Sequence, residues 1–70
     1  MAQTLVVYEA LLASEQSLAR VQTVRRAIER AGGRVEIERQ AGSAAHIVTV
    51  WLPPQHRIED ALPGLPFYPI

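Results

Sequence analysis

Residues 34–52 have the sequence RVEIERQAGSAAHIVTVWL, and this stretch decides the fold. Its first seven residues alternate between apolar and polar side chains, which predicts a half-buried strand. Small, flexible residues at 41–44 are a turn signal, and the β-branched run at 45–52 predicts a second strand. The stretch is therefore expected to form a β-hairpin.

The position of the turn fixes which residues of this hairpin face each other. A turn at 41–44 places Val35 opposite Val50, so the inward apolar residues of both strands share one face, as a stable register requires. On the other face it places Arg34 opposite Trp51, which predicts a cation–π contact.

A strand and a helix precede the hairpin. Residues 4–12 are rich in β-branched and aromatic side chains and predict a first strand. Ser14 is a suitable helix N-cap, and apolar residues then recur at helical spacing as far as Ala31. The pair Gly32-Gly33 predicts the end of the helix, because glycine adopts the left-handed conformation cheaply.

These elements predict a single α+β domain, 1–70, in the order β-α-β-β. Its core is expected at 1–53, followed by a Pro-rich, apolar tail at 54–70. The third strand is the most apolar and the second the most charged, so the third is placed centrally in a three-stranded sheet of order 1-3-2. One helix covers one face of this sheet. The arrangement is a split β-α-β, half of a ferredoxin-like domain.

The first and third strands are apolar on both faces, whereas a sheet face open to water normally carries polar residues. One helix covers only one face, so the other is expected to pack against the tail, a second copy of the chain or another protein. A homodimer or higher homo-oligomer follows as the expected state. The predicted interface residues are Leu5, Val7, Ile47, Trp51, Leu65, Phe67, Tyr68 and Ile70.

The composition narrows the class of protein further. The formal net charge is zero, all seven basic residues are arginine, and cysteine is absent. Disulfides and thiolate metal sites are thereby excluded, and no metal or cofactor is expected. Neither a signal peptide nor a membrane-length apolar run is apparent, so a cytoplasmic location away from membranes is expected. The lack of lysine, asparagine and cysteine is compatible with a thermophile.

No residue pattern predicts a catalytic centre. His46 is the one candidate for acid–base chemistry, because imidazole titrates near neutral pH, but a structural histidine at a hairpin end is the preferred interpretation. His56 is interpreted as a solvated loop residue. The adjacent carboxylates Glu59 and Asp60 are interpreted as a solvent-facing pair. The chain is therefore not expected to be an enzyme.

Residues 31–46 resemble the HicA-type toxins, which are small ribonucleases with a double-stranded-RNA-binding-like fold. In those toxins a helix ends in glycine, a strand closes on Arg-Gln, and a Gly-Ser-His turn presents the catalytic histidine. Gly42 and Ser43 match this turn, Ala44 occupies the histidine position, and His46 is the nearest imidazole. The resemblance implies a degenerate, toxin-like ribonuclease as an alternative to a non-enzymatic module.

Arginine residues could also form a basic stripe along the helix and into the second strand, and arginine binds phosphate bidentately. The residues of this stripe are Arg20, Arg26, Arg30 and Arg34. RNA binding is thus an alternative function, although nearby glutamates dilute the positive field. The preferred expectation is a small, non-enzymatic interaction or structural module that acts as a homo-oligomer.

Overall fold

A computed structural model describes residues 4–70. The elements along the chain are β1 (Val6–Leu12), α1 (Glu15–Arg30), β2 (Arg34–Arg39), β3 (His46–Leu52), α2 (Ile58–Ala61) and β4 (Tyr68–Pro69). The fold is α+β, as the sequence predicts. α1 is the main helix, and α2 is a single turn.

The sheet has four strands in the order β2-β3-β1-β4, and every neighbouring pair is antiparallel. The central placement of β3 between β1 and β2 agrees with the predicted order. The predicted three-stranded sheet is nevertheless wrong in its extent. β4 pairs with β1, and the backbone N–H of Ile70 donates to the carbonyl of Val7 at 2.9 Å. The Pro-rich tail therefore contributes a strand.

The hairpin register is confirmed. Val35 pairs with Val50 and Arg34 with Trp51, and the amide of Gln40 donates to the carbonyl of Ala45 at 3.1 Å. The turn places the side chain of Ser43 where its hydroxyl oxygen accepts a bond of 3.0 Å from the Ala45 amide. This local bond fixes where β3 begins, and hence which β3 side chains point to each face.

α1 begins and ends where the sequence indicates. The hydroxyl of Ser14 accepts a hydrogen bond from the amide of Ser17, which caps the helix N-terminus. At the other end Gly32 has a φ of 97°, in the left-handed region. Gly33 is needed for a different reason, because a Cβ there would collide with the backbone carbonyl of Trp51. The second glycine therefore lets the helix end lie directly on β3.

The core lies between α1 and one face of the sheet. Its central residues are almost fully buried: Ala10, Leu12, Val21, Ile28, Val35, Val48, Val50, Leu52, Ile58 and Leu62. Leu65 and Phe67 of the tail pack against this cluster. The guanidinium of Arg20 donates to the carbonyl of Pro63 at 2.6 Å and so links α1 to the tail. Residues 58–67 of the tail thus complete the helix side of the sheet.

Substitutions in the tail distinguish its apolar residues that pack on the core from those that are exposed. Phe67→Ala should destabilise the fold by about 2–3 kcal/mol, because it removes an aromatic ring packed on the core. The melting temperature of a chain this short should then fall by about 10 °C or more. Ile70→Ala is the matched control, since Ile70 is 66% exposed and should change stability by less than about 0.5 kcal/mol. Equal losses in thermal melts would contradict this assignment.

Candidate docking surface

The sheet face opposite α1 is open to solvent, and its side chains form three rows across the strands. Alternate residues of a strand point to opposite faces, so the register alone sets the membership of each row. The rows, written from β2 outward to β4, are Arg34–Trp51–Val7–Ile70, then Glu36–Thr49–Glu9–Tyr68, then Glu38–Ile47–Leu11. We call this set the open face.

Apolar side chains occupy the two outer rows at the centre of the sheet. Trp51 lies beside Val7 in one row, and Ile47 lies beside Leu11 in the other. Leu11 is 54% exposed, and the other three are partly exposed. These exposed apolar groups form one pair on each side of the middle row, and exposed apolar groups on two central strands are typical of a binding surface rather than of a solvated sheet.

The middle row is polar and carries two of the open face's carboxylates. The hydroxyl of Tyr68 donates a hydrogen bond of 2.7 Å to the carboxylate of Glu9. This bond raises the pKa of Tyr68 above its ordinary value of 10.0, with smaller contributions from desolvation and from the charge of Glu9. The bond also ties β4 to β1 through side chains, in addition to the backbone ladder. It joins residues 59 positions apart in the sequence.

Arg34 lies over the ring of Trp51, with its guanidinium carbon 5.2 Å from the ring centroid. The predicted cation–π contact is thereby confirmed. The same guanidinium forms an ion pair with Glu36, its neighbour on the open face. Arg34 is therefore held flat against the sheet and leaves Glu9 and Glu38 without a cationic partner among the described ion pairs. The open face carries a net negative charge.

The predicted interface residues divide between the two sides of the sheet. Val7, Ile47, Trp51, Tyr68 and Ile70 lie on the open face. The chain runs along the helix side through α2 before β4 pairs with β1, so the tail contributes residues to both sides of the sheet.

The remaining members of the predicted set lie elsewhere. Leu65 and Phe67 pack on the helix side, and Leu5 is partly buried just before β1. Leu11 belongs to the open face although the predicted interface set omits it. The alternation of side chains along β1 was the signal that could have found it. Leu11 and Val7 are an even number of positions apart, so they point to the same face of the sheet.

His46 points to the helix side, between Leu12 of β1 and Arg39 of β2. Its Nδ1 is buried and has no hydrogen-bond partner among the described residues. Ser43 of the turn bonds the Ala45 amide, as described above. The structure therefore does not bring Ser43 and His46 together as a paired nucleophile and base, an arrangement that would require a hydrogen bond between them.

The four arginines of the predicted stripe do not share one surface. Arg20, Arg26 and Arg30 are exposed on α1, and Arg20 also donates to the carbonyl of Pro63. Arg34 lies on the opposite side of the sheet, against Trp51. The sheet thus separates Arg34 from the three arginines of the helix.

On the other side of the sheet, a groove lies between α1 and residues 52–61. This groove has a volume of about 400 Å³, with an apolar floor that includes Val24, Ile28 and Leu52 and a polar rim that includes His56 and Asp60.

Within 4–70, no group of three or more acidic or histidine side chains is placed to hold a metal ion. None of the helices described there is long and apolar enough to cross a membrane.

Comparison with known proteins gives no relative for this chain: no family model, curated protein or solved structure matches it. The function must therefore be argued from the chemistry of the open face.

The Glu9–Tyr68 bond makes a pH-dependent contribution that is open to measurement. A pKa raised by folding means that the neutral phenol is favoured in the folded state, so this stabilisation is complete below about pH 10 and is lost as Tyr68 ionises. In a Tyr8→Phe background, alkaline titration of tyrosinate absorbance should give a Tyr68 midpoint above 10.0. Adding Glu9→Gln should lower that midpoint. A midpoint unaffected by Glu9→Gln would show that the bond does not form in solution.

Proposed function

We propose that this protein is a small, non-enzymatic interaction module that acts as a homo-oligomer through its open face. The observation that carries the proposal is the pair of apolar rows on β1 and β3, which lie where a sheet in water would normally be polar. A domain of 70 residues has little core to spare, and small domains commonly gain stability by association. A second copy of the chain is available as a partner wherever the protein itself is present.

The fold bears on what a second copy would do. We infer a ferredoxin-like pattern, reduced to a one-turn α2 and a two-residue β4, because the elements follow the order β-α-β-β-α-β and the sheet order is 4-1-3-2. We infer that the chain supplies both halves of this pattern itself. A second copy is then needed to cover the open face, not to complete the sheet.

The size of the open face sets the expected strength of association. Four strands spaced about 4.8 Å apart, with a rise of about 3.3 Å per residue, give a patch on the order of 15 Å by 20 Å. Stable interfaces bury about 800 Å² on each partner, and this patch lies below that size. The self-association is therefore expected to be reversible and to depend on concentration.

RNA binding is the second candidate, and one observation favours it. Trp51 and Tyr68 present aromatic rings on an open four-stranded sheet, the kind of surface on which RNA bases stack. The charges oppose it, because Glu9, Glu36 and Glu38 outnumber Arg34 on the same face and repel phosphate. The self-association proposal is preferred because of the apolar rows on β1 and β3, since the net negative charge repels a second open face as well as phosphate.

Replacement of Trp51 tests the proposal directly. Trp51→Glu should shift the light-scattering mass during gel filtration to that of a monomer. Losing a central aromatic anchor costs at least about 2 kcal/mol, so the dissociation constant should rise roughly thirtyfold. Arg34 lies beside the new carboxylate and should help the variant remain folded. Gln22→Glu, on exposed α1, is the control and should leave the mass unchanged.

The proposal fails if the parent protein is strictly monomeric at high micromolar concentration. It also fails if the Trp51→Glu and Gln22→Glu variants show the same mass as the parent.

Incubation with single-stranded RNA separates the two candidates. The purified protein should neither shift nor cleave the RNA, because the open face is acidic and Ala44 stands where the Gly-Ser-His turn of the toxins has its histidine. The measurement is gel electrophoresis of labelled RNA with the parent and with His46→Ala. Cleavage by the parent that disappears in His46→Ala would overturn the non-enzymatic assignment and favour the toxin-like alternative.

A further inference from the structure

The rows of the open face restrict how two copies can pack, and this inference rests on the proposed function. Two identical sheets that stack face to face lie about 10 Å apart and are related by a two-fold axis in the plane between them. The centre of the open face falls between Thr49 of β3 and Glu9 of β1. When the two sheets pack in the aligned manner, an axis through this centre runs either nearly across the strands or nearly along them.

An axis across the strands places each strand over its own copy. Glu9 then faces Glu9 of the second copy, and Glu36 faces Glu36 in the same way. Neither carboxylate has a spare cation nearby, because Arg34 is already paired with Glu36 and stacked on Trp51. At the edge the same packing places Arg34 over Glu38 of the second copy, but Arg34 is already paired with Glu36. Like charges brought together in an interface cost several kcal/mol, so the two carboxylate pairs of the middle row disfavour this packing.

An axis along the strands exchanges β1 with β3 and leaves each row facing itself. Trp51 then lies over Val7 of the second copy, and Ile47 lies over Leu11. In the middle row Thr49 faces Glu9, and its hydroxyl is placed to donate to that carboxylate. No residue of the two central strands meets a like charge across the interface.

We propose that two copies of this chain form a two-layer sandwich whose two-fold axis runs parallel to the strands, between β1 and β3. Glu9 is the residue that selects this axis, because it makes the perpendicular packing repulsive and the parallel packing complementary. At the periphery the same axis places Glu36 over Tyr68 of the second copy, whose hydroxyl keeps its bond to Glu9. Packed sheets are rotated by about 30°, which concentrates the contact on the two central strands.

Isotope-filtered NMR measures this geometry directly, and a dimer of 70-residue chains is well within its size range. A mixture of labelled and unlabelled full-length chains reports only contacts between copies. The expected intermolecular contacts join the Trp51 ring to Val7 methyl groups, and Ile47 methyl groups to Leu11. Contacts that join Trp51 to Ile47, and Val7 to Leu11, would overturn the parallel axis.

The outcomes separate this inference from the proposal on which it rests. A dimer with the wrong set of contacts leaves self-association intact and removes the parallel axis. A protein that is monomeric by light scattering removes both.

A charge substitution at the centre of the open face gives a second test of the direction of the two-fold axis. Thr49→Lys places an ammonium over Glu9 of the second copy when the axis is parallel, so the dissociation constant should stay the same or fall. With a perpendicular axis two such ammonium groups would face each other, and affinity should fall on the order of a hundredfold. Thr49→Val is the uncharged control of similar shape. Loss of the dimer in Thr49→Lys but not in Thr49→Val would contradict the proposal.

Discussion

The pairing of β3 with β1 is the constraint on which the rest of the molecule depends. Seven consecutive residue pairs join these strands, from Val6–Leu52 to Leu12–His46. The buried face of the pair supplies the floor of the core, and β2 and β4 attach to its two sides. The same pairing necessarily presents Val7, Leu11, Ile47 and Trp51 on the other face, since alternate residues of a strand point in opposite directions.

Local patterns predicted the parts of the fold that depend on neighbours in sequence. The turn at 41–44 fixed the hairpin register, and that register placed Arg34 over Trp51. Ser14 and Gly32 marked the ends of α1 for reasons of capping and backbone conformation. In each case the decisive interaction spans few residues, or follows from a turn of known length.

The tail could not be placed in the same way. β4 contains only Tyr68 and Pro69, too short a run to carry a strand pattern, and proline argues against a strand. Its apolar content correctly indicated packing, yet it did not reveal that Phe67 and Tyr68 would point to opposite sides of the sheet. The Glu9–Tyr68 bond shows the reason, because it joins residues 59 positions apart that only the pairing of β4 with β1 brings together.

The central claim is that the open face is buried between copies of the chain, and Trp51 provides an intrinsic probe because it is the only tryptophan. The most direct measurement is acrylamide quenching of its fluorescence across a dilution series from high to low micromolar protein. The account predicts that Trp51 is shielded at high concentration and becomes accessible on dilution. Quenching of a solvent-exposed indole at every concentration would contradict it.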